Sequence, residues 1–288
     1  MVSAGDYQAL RKTLHEIVTT VPLEYLPDFW DRLRNFEREQ HMDTSVETLA
    51  RLTPTHADAL YTCYEYLAHM EVLYPPPLLG PFEPASCHDT LRLPASPAAS
   101  VSNAPFVRKW KAYLEWEESD PLNLRETDEM AYITRICSAY RKANTRMRFC
   151  PELWHMSYEW YKCIGNEHEA LLTLSEGING NRDSLLLNFA LADTLEQRGD
   201  IQLSRRIYDD LLRTFRTMLK LRHSNAGSSK EFGSIYVRYM HFALRAEGIC
   251  AVQAVFKQAE LDGPLLGTVY EEVADLEQNL GAFGHDAI

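Results

Sequence analysis

The chain has 288 residues, 45% of them apolar and 24% charged, an ordinary globular balance that fits one or two domains. Its 41 acidic and 29 basic side chains leave a formal net charge of −12. Phosphate binding accumulates Lys and Arg, so that charge excludes a uniformly basic nucleic-acid glove and leaves only a local basic stripe open. No apolar run approaches the ~20 residues of a membrane-spanning helix. Residues 1–23 lack a basic start followed by an apolar core, so they do not read as a secretory signal. The six cysteines form no CxxC or paired metal spacing and read as reduced thiols of an intracellular protein. There is no HExxH, no Gly-rich phosphate loop and no GxSxG elbow. The expectation is a protein that is not an enzyme, with no metal, no cofactor, no small-molecule substrate and no membrane partner.

In chain order, residues 1–74 read as helical and are the more acidic part, net −6 against −5 for 106–288, which is more than twice as long. Residues 75–105 hold eight of the 14 prolines, several serines and few periodic apolar positions. Proline removes a helical donor and restricts its preceding neighbour, so this stretch is expected to be a non-helical linker, a spacer in preference to a ligand for another domain. From 106 to 288 apolar residues recur at steps of three and four without sustained alternation, which predicts helices. Breaks are expected at Asp120-Pro121, Cys150-Pro151, Gly165-Asn166, Gly177 to Gly180, Gly199-Asp200, Asn225 to Ser229 and Asp262 to Pro264. The organisation is thus 1–74, a linker over 75–105, and 106–288.

Six of these segments share a pattern: an aromatic, a second packing residue at +3, a third at +6, and often Glu at +7. Trp30, Leu33, Phe36 and Glu37 fit it, and Trp110, Tyr113, Trp116 and Glu117 fit it best. Trp154 leads a partial copy through Ser157 and Trp160, and Phe189 leads one with Ala192, Leu195 and Glu196. Tyr236, Tyr239 and Phe242 form another, and Tyr270, Val273, Leu276 and Glu277 the last. Helices with small or slim residues at close-packing steps follow them, as in Ile136, Tyr140 and Ala143, so each unit reads as a pair, A then B. At 100° per residue, positions 0, +3 and +7 lie within about 60° of one another, and a single pair cannot bury that stripe. Pairs must therefore stack, which predicts an all-α protein, an α-solenoid (superhelix) of antiparallel helix pairs. The Glu beneath each aromatic is expected to be hydrogen-bonded as a tie between helices, because an unpaired buried carboxylate is costly.

Residues 131–150 carry Arg135, Lys142 and Arg146 on one helical face with no acidic residue among them, and 201–222 carry Arg205 and Arg206. Two readings stand for these cations: a basic ridge offered to an acidic partner or to RNA, and a merely solvated helix face. Enzyme chemistry in an all-helical protein would need clustered aspartates, and Asp209-Asp210 is only a pair.

Aromatic-led helix pairs ending in Glu resemble half-a-tetratricopeptide (HAT) repeats. Trp110 to Leu122, WKAYLEWEESDPL, and Tyr236 to Ile249, YVRYMHFALRAEGI, are similar to helices of the suppressor-of-forked family, the HAT-repeat subunit of cleavage stimulation factor. Phe189 to Glu196 and Trp30 to Glu37 are weaker matches, and the proline stretch before Trp110 sits where that family carries one. The resemblance covers about residues 25–280. It implies a nuclear, non-catalytic scaffold that organises other subunits of the pre-mRNA 3′-end cleavage and polyadenylation machinery. It also implies a homodimer through the C-terminal HAT half; a HAT scaffold of splicing or ribosome assembly is the alternative. Family members carry further repeats on both sides, so the chain reads as a fragment, a reduced homologue or an engineered piece.

Overall fold

A computed structural model describes residues 4–20, 26–40, 42–74, 100–221, 226–262 and 267–284. Every described element is a helix: α1 (Ala4–Thr20), α2 (Leu26–Gln40), α3 (Met42–Leu73), α4 (Ser100–Glu118), α5 (Leu124–Thr127), α6 (Glu129–Arg146) and α7 (Pro151–Cys163). They continue as α8 (Glu167–Gly180), α9 (Leu185–Gln197), α10 (Ile201–Leu221), α11 (Ala226–Glu247), α12 (Ile249–Asp262) and α13 (Gly267–Gly284). The chain divides into two compact units, Met1–Met147 and Arg148–Ile288. The first therefore takes in helices from both sides of the proline-rich stretch.

In the first unit, Leu14, Val18 and Leu33 bring α1 and α2 together, with Trp30 and Phe36 packed against them. Leu26, Ala59 and Cys63 join α2 to α3. The turn after α4 is built by its own sequence: Asp120 and Asn123 take left-handed φ values of 58° and 53°. The Asp120 carboxylate accepts from the backbone N–H groups of Leu124 and Arg125 at 2.8 and 2.7 Å. Asp128 then caps α6 by accepting from the Ala131 N–H.

The second unit is three helix hairpins, α7–α8, α9–α10 and α11–α12, followed by α13. Each hairpin turn holds a glycine, Gly165 and Gly199 in the middle of three-residue turns and Gly248 as the single residue between α11 and α12, with φ of 75°, 82° and 84°. That left-handed conformation is the reason for glycine in each of these turns. The core runs through α9 to α13 and contains Tyr208, Tyr236, Phe242, Val255 and Val269. Tyr208 stacks on Tyr239, with ring centroids 5.0 Å apart and planes 3° from parallel.

Three sequence expectations are corrected here. Helix α8 runs through Gly177 to Gly180. A Cβ on Gly177 would lie 3.0 Å from Cβ and Cγ of Trp154, so this glycine admits the indole and does not break the helix. Helix α11 begins at Ala226, inside the stretch expected to be a loop. Helix α4 begins at Ser100 and contains Pro105 in its second turn. A proline near the N-terminal end sacrifices one backbone bond without ending the helix. Residues 75–99 lie outside the described residues.

Candidate functional site

The repeated Glu is the starting point. Glu37 is fully buried, and its two carboxylate oxygens accept from Nε and Nη2 of Arg11 on α1 at 2.6 and 2.7 Å. His15 Nε2 stands 3.0 Å from Oε1. Burial pushes this carboxyl up, but the hydrogen bonds and charges of Arg11 and His15 outweigh it and hold Glu37 below its ordinary range. Glu117, 2% exposed, accepts from Arg135 of α6 at 2.5 and 3.1 Å and from the Tyr113 hydroxyl at 2.6 Å. Burial and the adjacent carboxylate raise the Tyr113 phenol well above its ordinary value, so it remains a donor. Glu196 accepts from Nε and Nη2 of Arg245 on α11, both at 2.7 Å. All three are bidentate Arg–carboxylate ties between different helices. The Arg partners lie 26, 18 and 49 residues away, so no constant spacing announced them.

The packing aromatics fall into several clusters, and Phe189 shares one with Tyr236, Tyr239 and Phe242. Trp30, half-buried, stacks on His56 with centroids 4.1 Å apart. Trp110 and Tyr113 are buried at 2% and meet edge to face, and half-buried Trp116 donates to Glu65 at 3.0 Å. Trp154 is buried and donates to the Arg148 carbonyl at 2.9 Å. Phe36 and Phe189 are half-buried, whereas Tyr236, Tyr239 and Phe242 are buried. Tyr270 departs from the expectation: it is 46% exposed and only edges Phe256. In α13 the buried stripe is Val269, Val273 and Leu276, which turns Tyr270 about 100° out of the core. The side chain of Glu277 lies outside the described residues.

The basic ridge also changes. Arg135 is not a surface group; it is the partner of Glu117. Arg205 is half-buried and ion-paired with Glu247, so it too leaves the ridge. Arg206 and Lys142 are exposed, and the Arg146 guanidinium lies 5.4 Å from the Tyr74 ring centroid. Asp209 accepts from the Tyr239 hydroxyl at 3.2 Å and Asp210 pairs with Arg213, so the two aspartates face structural partners. Among the described residues no group of three or more His, Cys, Asp or Glu is placed to hold a metal ion, and no helix is long and apolar enough to cross a membrane.

Each unit has an open surface among its described residues. The first unit has a cavity of ≈530 Å³ walled by Tyr66, Met70 and Glu71 of α3 and by Tyr74 just past its end, floored by Trp110 and Tyr113 of α4, and edged by Lys142 of α6. The second unit has a groove of ≈220 Å³ across α7, α9 and α11, with Tyr158, Lys162, Phe189, Asp193 and Arg238 among its walls. Sequence periodicity identified neither, because each is closed by residues of three helices that are distant along the chain.

Helix pairs stacked through aromatic layers and tied by Glu–Arg bridges define an all-α repeat protein of the HAT solenoid class. Its sequence matches the family model of the suppressor of forked protein over residues 5–282, and the chain belongs to that family. The mRNA 3′-end-processing protein RNA14 of Cryptococcus neoformans is 30% identical over 210 residues, 72% of this chain and 18% of that protein. Cleavage stimulation factor subunit 77 of Arabidopsis thaliana is 23% identical over 251 residues, 87% of this chain and 30% of its own length. The crystal structure of CstF-77 matches with a TM-score of 0.65 at 13% identity, covering 97% of this chain and 51% of that one, a likeness of fold. The chain thus spans less than a third of the length of these two relatives.

Proposed function

We propose that this chain is a non-catalytic scaffold segment that presents helix-pair surfaces to other subunits of the nuclear machinery for mRNA 3′-end cleavage and polyadenylation. One observation carries the reading: the family match runs along nearly the whole chain, on helix pairs whose buried carboxylates, Glu37 and Glu117, are both engaged by arginines in holding helices together. A catalytic acid must be reachable by substrate, whereas these two are buried and ion-paired. The RNA14 protein and subunit 77 are named for 3′-end processing and for a cleavage stimulation factor, which supports the choice of machine over splicing or ribosome assembly. Homodimerisation through the C-terminal HAT half belongs to the same proposal.

Co-purification of the tagged chain from nuclear extract, read for cleavage and polyadenylation subunits, tests the assignment. Enrichment of those subunits is the expected result, and enrichment of splicing or ribosome-assembly factors in their place overturns it. Light scattering of the purified chain tests the dimer: a mass of twice 33.1 kDa supports it, and a monomer at all concentrations removes that element.

A further inference from the structure

We infer that the α3–α6 groove of the first unit binds single-stranded RNA, with its phosphates along α6 and its bases toward α3. The argument begins with charge. In a chain of net −12, residues 100–114 of α4 and 130–146 of α6 contain no carboxylate at all. The two helices run antiparallel: Glu117 meets Arg135 near one end, and Trp110 shares a cavity with Lys142 near the other. The carboxylate-free halves of the two helices therefore lie side by side.

That shared end carries Arg108, Lys109, Arg141 and Lys142, all exposed. None of the four forms an ion pair with a described residue, whereas Arg135, Arg205, Arg216 and Arg245 are each engaged by a carboxylate. Cations with no carboxylate partner among the described residues, distributed over two helices, suit a polyanion of repeating phosphates, while a short acidic peptide would need carboxylates placed to match.

The second observation is the cavity at this end. Its ≈530 Å³ is walled by Tyr66 and Tyr74 and edged by Lys142. Arg146 on the same flank of α6 already lies over the Tyr74 ring. Aromatic walls beside a cationic lip are what single-stranded nucleic acid uses, bases against rings and backbone against cations. Glu71 stands on the α3 lip, so it repels phosphate there and offers an acceptor to a ribose 2′-hydroxyl or a base N–H. That single carboxylate sets the orientation stated above. The inference does not depend on the scaffold proposal, because it concerns only the first unit's own charges and rings.

The test is fluorescence anisotropy of a labelled U-rich 20-mer RNA titrated with the whole chain at several salt concentrations. Saturable binding that weakens steeply with salt is expected. Lys142→Glu should lower affinity about tenfold and flatten the log–log salt slope by about 1.4, since reversing one charge removes two units at roughly 0.7 each. Arg206→Glu makes the same charge change on α10 and should leave binding unaltered. Both side chains are exposed, so unchanged thermal melts accompany both variants. Absence of saturable binding at low salt overturns the inference, as does equal binding by the Lys142 and Arg206 variants. If polyglutamate of matched charge displaces the RNA at equal concentration and itself loses affinity in Lys142→Glu, the groove takes an acidic peptide and the RNA assignment falls.

Discussion

The two units solve the same burial problem by different chemistry. In the first, the repeat Glu is sealed in: Glu37 and Glu117 are 0% and 2% exposed, and their arginine partners 27% and 22%. In the second, Glu196 is 17% exposed and Arg245 49%. What replaces the sealed pair there is apolar packing, a continuous cluster from Ala192 to Leu276 with Tyr208, Tyr236 and Phe242 fully buried. At the +7 position of α7 and α11, Tyr161 and Ala243 stand where the other copies have Glu, and both are buried. A repeat plan therefore fixes which face is inside, while each layer closes it with either a bridge or a tightly packed apolar contact. A sealed bridge is sensitive to loss of one partner, because the other charge is stranded away from water.

Substitutions at matched positions sharpen this contrast. Trp110→Ala should lower unfolding free energy by about 3–5 kcal/mol in a denaturant titration, because a 2% exposed indole leaves a cavity among rings. Arg135→Ala strands Glu117 and should destabilise by about 3 kcal/mol or more. Glu117→Gln in the same background should recover part of that loss; if Arg135→Ala alone is silent, the sealed-bridge account of the first unit fails. Gly177→Ala pushes a methyl to 3.0 Å from the Trp154 side chain and should cost about 1–3 kcal/mol, read in the melting temperature.

Acid acts on the Glu37 bridge of the first unit. Glu37 is held below its ordinary carboxyl value, so its contribution is complete above about pH 4.5 and is lost as pH falls below that through the folded-state value. Unfolding free energy measured between pH 5 and pH 3 should fall more steeply in the parent than in Glu37→Gln. The smallest effects belong to the second unit's surface. Arg245→Ala should cost about 0.2–1 kcal/mol, as an exposed pair does, and Tyr270→Ala about 0.5 kcal/mol or less.

Much of the architecture was legible because it depends on local periodicity. The aromatic at 110 and those at 236, 239 and 242 face inward as their spacing requires. Gly165 and Gly199 mark turns because a left-handed residue is a one-position demand. Gly177 misled for the opposite reason: its role is set by Trp154, which is 23 residues distant along the chain. Arg135 was read as surface because it shares a helical face with Lys142 and Arg146; only the approach of Glu117 separates it from them. Tyr270 was placed inside because its chain spacing fits, but the last helix buries a stripe beginning one residue earlier, at Val269.

By itself, the sequence determined helices, their pairing and the aromatic-led stripe, since these follow from a repeat of about 3.6 residues and from the need to hide apolar faces. Tertiary structure decided which arginine answers each glutamate, which cations remain open to solvent, and where three helices leave a groove. Those outcomes depend on distances between residues 18 to 49 positions apart, which a periodicity along one helix does not encode.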